Sequence, residues 1–330
     1  MKTRTTWTLD RIVPIAALAG SMMAMPAGAG PYSNIFFFGD SVSDSGNVAL
    51  LIGQPSGVPQ AVTGNSCIPD YPSYPTGRFS NGPVWAEDFA GKFGLSAAPS
   101  LAGGSNFAFA GARTGGPDLP VPTLTTQSGM FLDRMSRKAP SDALYVIAEV
   151  GNDARDALLV MAGGANIPQT IAAAATAYAN NLGELVNTLR DAGATQFLVF
   201  DNVNLGVVPA IVSMGPDAAG LATALMASMN QALPARLGGE AGVRVFDTFS
   251  FLTGVVDRPG AFGFANATDA CAAVIAADCS SYVFWDGLHP TAAMHERIAL
   301  AAVPEPRANW LLVSGLLGLV FASRRRRGQS

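Results

Sequence analysis

Two short stretches at opposite ends of the chain hold side chains that can move a proton and attack a carbonyl. Near the N-terminus an apolar run, Phe36-Phe37-Phe38-Gly39, leads into Asp40-Ser41-Val42-Ser43-Asp44-Ser45-Gly46-Asn47. Near the other end stands Trp285-Asp286-Gly287-Leu288-His289-Pro290-Thr291. A serine hydroxyl is a weak nucleophile until a base takes its proton. The chain has two histidines, His289 and His295. Asp286 precedes His289 by three residues, so both can project from one turn, where the acid sets the tautomer and orientation of the imidazole. His295 falls inside the last helix and reads as a helix-surface or packing residue. Ser43 and Ser45 lie two and four residues from the corner and face elsewhere, and Asp44 reads as a loop cap. Alone, Gly39-Asp40-Ser41 is equally a capped helix start; the distant acid and imidazole give it meaning. Ser41 is the candidate nucleophile, His289 the base and Asp286 its orienter.

An acyl-transfer site also needs donors aimed at a developing oxyanion. Gly111 ends Asn106-Phe107-Ala108-Phe109-Ala110-Gly111, where its N–H can be exposed. Asn152, in Val150-Gly151-Asn152-Asp153, has a side-chain amide that can donate. Each has an ordinary reading too: a tight turn at Gly111, a helix cap at Asn152 or Asp153. The Ser41 N–H is the third candidate donor.

These groups gain force from the elements that would carry them. Apolar, β-branched and aromatic runs at Asn34–Phe38, Asn106–Phe109, Ala143–Val150, Gln196–Phe200 and Val243–Phe246 suit a parallel sheet buried on both faces. Helical stretches lie between them at Val84–Phe93, Gln127–Arg137, Ala154–Met161, Gln169–Asp191 and Asp217–Leu237. The alternation predicts an α/β domain of three layers. Ligands in such sheets bind at the carboxyl ends of the strands, where Ser41, Gly111 and Asn152 all fall. Segments 50–83, 112–125 and 250–285 read as surface loops that shape a cleft. No internal repeat or interdomain linker is visible.

The two ends differ from the body. Residues 1–29 run from Lys2, Arg4 and Arg11 through an apolar stretch to Ala27-Gly28-Ala29, the layout of a secretory signal peptide. Residues 303–330 hold Val303-Pro304-Glu305-Pro306, a short apolar stretch and Arg324 to Arg327. This tail resembles the PEP-CTERM sorting signal, which implies processing by an exosortase-type enzyme at the membrane and delivery to the cell surface or extracellular matrix. The apolar stretch is short for a transmembrane helix, which needs about 20 residues, and the arginines suit the cytoplasmic side. A simple tail anchor is the plainer reading. Between these ends lie residues 30–302. The chain is 49% hydrophobic and 13% charged, which excludes disorder. Its net charge of −4 includes basic residues gathered at both ends, so the body is more acidic still and unsuited to nucleic acid. Cys271 and Cys279 suit a disulfide in an exported protein, with Cys67 left over. Cysteine spacing and the two histidines do not make a zinc site.

With these blocks in order, the chain resembles the GDSL esterase/lipase family, also called SGNH hydrolases, over most of residues 33–302. Ser80–Trp85 and Phe262–Thr268 resemble its bacterial lecithinase/haemolysin-like and plant branches. The resemblance implies a flavodoxin-like fold of about five parallel strands. It also implies a Ser41–His289–Asp286 triad, an oxyanion hole from Ser41, Gly111 and Asn152, and no cofactor. Two residues depart from the family pattern: Val42, often Leu in relatives, and Glu149, often uncharged. The expectation is an exported serine esterase acting on a small-molecule or lipid ester. Its rivals are a non-catalytic matrix-binding protein on the same fold and a phospholipase or acyltransferase.

Overall fold

The computed structural model describes residues 31–53, 74, 76–118, 120–274 and 278–303. The expected signal peptide, all of the expected sorting tail except Val303, and Cys67 lie outside the described residues. Four parallel strands form the central sheet in spatial order: β1 (Ile35–Gly39), β2 (Leu144–Ala148), β3 (Gln196–Phe200) and β4 (Val243–Phe246). The expected strand at 106–109 lies along the outer edge of β1, but as a single parallel bridge from Asn106 to Phe37. Phe107 and Phe109 N–H donate to Phe37 and Gly39 carbonyls at 2.8 and 3.1 Å. On its far side Asn106 pairs through its backbone with residues 98–100, and Asn47 Nδ2 donates to the carbonyls of Asn106 and Ala108 at 2.8 and 2.9 Å. The five runs therefore follow the flavodoxin-like order 2-1-3-4-5. The order reverses between β1 and β2, which opens a crevice at their carboxyl ends.

Helices cover both faces: α1 (Asn47–Gly53), α2 (Trp85–Gly91), α3 (Leu124–Arg134), α4 (Asn152–Ala162), α5 (Ile167–Asp191), α6 (Pro209–Val212), α7 (Pro216–Leu237), α8 (Thr248–Asp257) and α9 (Ala292–Ala302). Alternation along β1 assigns the layers, since successive side chains point to opposite faces. Phe36 and Phe38 pack against Phe131 of α3 at 4.7 and 5.7 Å between ring centroids. Phe37 meets Trp85 and Phe89 of α2 at 5.7 and 6.3 Å. All three are buried. The chain is a three-layer α/β protein.

Two readings of the sequence are corrected. Segment 250–285 is not a loop: it carries most of α8, a 3-10 turn at Pro259–Phe262 and a parallel pair, β5 (Asn266–Ala270) and β6 (Tyr282–Phe284). Asp247 caps α8 by accepting from Ser250 N–H at 2.8 Å, while Leu252 and Val255 bury its inner face. The turn residues Pro259, Gly260 and Gly263 directly after it mask that signal. The helix expected at Gln127–Arg137 starts three residues earlier, capped by Thr123, and stops before Ser136 and Arg137, which take φ of 53° and 61°. Among the described residues no helix is long and apolar enough to cross a membrane.

Gly39 closes β1 at a point of close approach. A Cβ there would stand 2.5 Å from the Ala148 carbonyl oxygen of β2. Gly39→Ala therefore has to push the two strands apart beside the crevice, and is expected to lower unfolding free energy by about 1–3 kcal/mol, read by urea denaturation.

Candidate active site

The corner after β1 is built by one carboxylate. Asp40 is buried; its Oδ1 accepts from Val42 N–H at 3.0 Å, and its backbone carbonyl accepts from Ser43 and Asp44 N–H. Its Oδ2 accepts from Val150 N–H at 3.0 Å, so the same side chain ties the end of β1 to the segment leaving β2. Burial pushes the Asp40 carboxyl up to about 6, against the lowering effect of the Val150 and Val42 hydrogen bonds. Asp44 is the next anchor, accepting from Gly46, Asn47 and Val48 at the start of α1 and from Ala110 across the crevice. Burial raises it to about 6 as well. Ser43 Oγ accepts from Trp85 Nε1, and Ser45 Oγ donates to the Ala97 carbonyl; both are buried and turned from the corner. Ser41 alone of the three turns its hydroxyl toward the crevice.

There the hydroxyl meets the far end of the chain. Ser41 Oγ lies 2.8 Å from His289 Nε2 across 248 positions of sequence. His289 Nδ1 lies 2.7 Å from Asp286 Oδ2. Asp286 Oδ1 accepts from Leu288 and His289 N–H at 2.7 and 2.6 Å, so the acid shapes the loop that carries the imidazole. Phe79 packs against the His289 ring at 5.2 Å. Burial would raise Asp286, but the imidazole, Tyr74 and the His289 N–H outweigh it and hold this carboxyl well below the usual carboxylate range. Burial would likewise lower His289, yet Asp286 and the nearby Asp40 prevail and hold it above the usual imidazole range.

The candidate oxyanion donors surround the same crevice. Neither Ser41 N–H nor Gly111 N–H donates to any group among the described residues. Gly111 has φ of 86°, a left-handed backbone that a glycine adopts without strain. Asn152 starts α4; its Nδ2 donates to the Ala112 carbonyl at 3.0 Å and lies 3.4 Å from Asp40 Oδ2. The second contact is long for a hydrogen bond, which leaves one amide hydrogen weakly engaged. Glu149 holds that helix start: its Oε1 accepts from the N–H groups of Gly151, Asn152 and Asp153. Burial, with Asp153 and Asp40 nearby, pushes its carboxyl well above the usual range. Asp153 does not cap the helix; its side chain accepts from Thr114 instead.

The remaining expected residues lie apart. His295 is buried in α9, its Nδ1 accepting from Trp85 N–H at 3.1 Å, and burial lowers it to about 3, so it is a neutral packing residue. Cys271 and Cys279 are joined in a disulfide with Cα atoms 5.7 Å apart. Among the described residues no group of three His, Cys, Asp or Glu side chains is arranged to hold a metal ion.

Two contributors escape the sequence reading. Gln127 of α3 pairs with both backbone groups of Gly39 at 2.9 Å, as a neighbouring strand would. Tyr74, fully buried, donates its hydroxyl to Asp286 Oδ2, the same oxygen that faces His289. Its only sequence signal is its place just ahead of Thr76-Gly77-Arg78-Phe79, next to the flagged Ser80–Trp85. Tyr74→Phe removes a donor from that carboxylate, which then binds the imidazole proton more firmly. The His289 ring is expected to titrate at higher pH in the variant, read by NMR of the imidazole protons.

Comparison with known proteins gives the family. The sequence pattern of the GDSL-like lipase/acylhydrolase family matches residues 35–302. A GDSL esterase/lipase of Arabidopsis thaliana is 28% identical over 305 residues, covering 81% of this chain and 87% of its own length. A phosphatidylcholine-sterol acyltransferase of Aeromonas hydrophila is 26% identical, covering 85% of this chain and 90% of its own. Acetylajmalan esterase 2 of Rauvolfia serpentina is 23% identical, covering 83% and 90%. A serine, an imidazole and an acid in hydrogen-bond series at the open end of a 2-1-3-4-5 sheet, within a pattern match spanning that whole sheet, leave one conclusion: the chain belongs to the GDSL-like lipase/acylhydrolase family.

Proposed function

We propose that this protein is an exported serine hydrolase of carboxylic esters, with Ser41, His289 and Asp286 as its catalytic residues. The observation that carries the reading is the 2.8 Å approach of Ser41 Oγ to an imidazole whose other nitrogen faces a buried carboxylate. Asp286 fixes the Nδ1–H tautomer, so Nε2 presents its lone pair to the hydroxyl. Ser41 Oγ attacks the ester carbonyl as His289 takes its proton. The tetrahedral oxyanion is received by the N–H groups of Ser41 and Gly111 and the amide of Asn152. His289 passes the proton to the leaving alcohol, and the acyl group stays on Ser41. Water then attacks, giving its proton to His289, and collapse returns that proton to Ser41 and releases the acid.

Export is part of the same proposal. The signal-like residues 1–29 support it, and the Cys271–Cys279 disulfide suits an oxidising compartment. The Pro-Glu-Pro tail over 303–330 supports processing by an exosortase-type enzyme and a surface or matrix address. Residues 30–302 are the hydrolase domain of this reading. Transfer of the acyl group to an alcohol instead of water is the variant suggested by the acyltransferase relative, and product analysis with added alcohol separates the two.

Ser41→Ala is expected to lower turnover of p-nitrophenyl acetate by the full chain at least about 10³-fold with its thermal unfolding unchanged. A fluorophosphonate probe should label the parent protein at Ser41 and leave the variant unlabelled; a parent that neither labels nor turns over esters is the matrix-binding alternative. The base must be neutral to accept a proton, and its neighbours hold His289 above the usual imidazole range. The acidic limb of kcat/KM is therefore expected above that range, with activity rising as pH rises through it, as a pH–rate profile would record.

A further inference from the structure

Four consecutive backbone N–H groups beside the crevice, at residues 150 to 153, are held by two buried carboxyls. Val150 donates to Asp40 Oδ2, and Gly151, Asn152 and Asp153 all donate to Oε1 of Glu149. The second set opens α4. Its N-cap is Gly151, which has no side chain to cap with, and the first-turn acid Asp153 is turned to Thr114. Glu149, two residues ahead of the cap, supplies the acceptor that this helix start lacks. It does so from an unfavourable place. Glu149 is completely buried, its Oε2 has no hydrogen-bond partner among the described residues, and Asp40 and Asp153 stand close by. Burial and these two acids push its carboxyl above the usual range. A serine or aspartate at the cap position would serve the helix alone without burying an acid.

We propose that Glu149 is a positioning residue of the oxyanion hole, holding the first turn of α4 so that the side-chain amide of Asn152 faces the crevice. The proposal deepens the serine hydrolase reading above and rests on it. Asn152 is the middle one of the three residues that Oε1 holds, so the backbone is tied at its own N–H and again at the N–H of Asp153. With the backbone fixed, only the side-chain torsions of Asn152 remain, and its Nδ2 hydrogen bond to the Ala112 carbonyl at 3.0 Å sets those. Ala112 follows Gly111, so the same contact keeps the two candidate donors in register. An oxyanion donor is effective only if it stands in place before charge develops. A displacement of about 1 Å in a positioned group can cost about 10²-fold in rate. The role needs an acceptor oxygen at Oε1 and no negative charge, since an amide oxygen accepts from the same N–H groups.

The experiment measures kcat and KM for p-nitrophenyl acetate with the full chain carrying Glu149→Ala, Glu149→Gln, Asn152→Ala, or Glu149→Ala together with Asn152→Ala. Glu149→Ala is expected to lower kcat at least about ten-fold while KM stays within about three-fold. Glu149→Gln keeps the acceptor oxygen and is expected to stay within about three-fold of the parent in both constants. In the Asn152→Ala background, Glu149→Ala is expected to change kcat by less than about three-fold, because the amide it positions is gone. Thermal unfolding checks that each variant is folded. Glu149→Met, of similar length and without the acceptor, takes the place of Glu149→Ala if that variant does not fold. The proposal is overturned by an unchanged kcat in folded Glu149→Ala or Glu149→Met, or by a Glu149→Gln as slow as Glu149→Ala. Equal effects of Glu149→Ala with and without the Asn152 amide overturn it too. Each of these results leaves the hydrolase reading intact. A parent that turns over no ester and takes no fluorophosphonate label removes both.

Discussion

A proton shared between Ser41 and His289 joins residues 248 positions apart, and the rest of the architecture follows from keeping that contact at 2.8 Å. Neither side chain could hold the other by itself; the hydroxyl and imidazole would prefer water. The parallel sheet supplies the rigidity. β1 delivers Ser41 from a strand whose three phenylalanines are locked into both layers of helices. The closing loop is delivered by β6 and α9, with Thr291 capping α9 through Met294 N–H two residues after the imidazole. Packing between α2 and α9 is joined by the Trp85 N–H to His295 hydrogen bond, so this histidine helps set where His289 sits.

Buried carboxylates do the local positioning. Asp40, Asp44 and Glu149 each accept from two or more backbone N–H groups at the crevice. Removing a carboxylate from water is costly, and burial raises all three toward the neutral form. What they achieve is selective satisfaction of the backbone. Val42, Gly46, Asn47, Ala110, Val150 and Asn152 all have acceptors, while the N–H groups of Ser41 and Gly111 have none among the described residues. An unpaired N–H at the edge of a crevice is a donor with nothing to lose when an oxyanion forms.

Much of this was legible because it depends on rare residue types and on strand ends. With two histidines in the chain, only one stands beside an acid in a Gly-rich turn. Gly39, Gly111 and Gly151 mark where apolar runs stop, and those stops fall around one crevice. The hidden parts involve long-range side chains that imitate backbone. Gln127 takes the place of a strand neighbour for Gly39, and Asn47 does so along the 106–109 run. No spacing rule connects Tyr74 to Asp286, 212 positions away. Helix α8 is hard to read because its short apolar face runs directly into the turn residues Pro259, Gly260 and Gly263, which outweigh periodicity over ten residues.

Two carboxylates lie near the imidazole, and their surroundings push them apart. Asp286 has the imidazole at one oxygen together with Tyr74, and two backbone N–H groups at the other, so it stays ionised despite complete burial. Asp40 is also buried, but it accepts mainly from neutral backbone groups, which leaves it near 6. Divergent environments assign divergent roles. In the proposed reaction Asp286 is the permanent negative partner that an imidazolium requires. Asp40 is a tie between two strand ends, whose charge adds to the basicity of His289 only at pH values where it is itself ionised. Equal burial with unequal donors thus separates an acid that serves the base from an acid that serves the backbone.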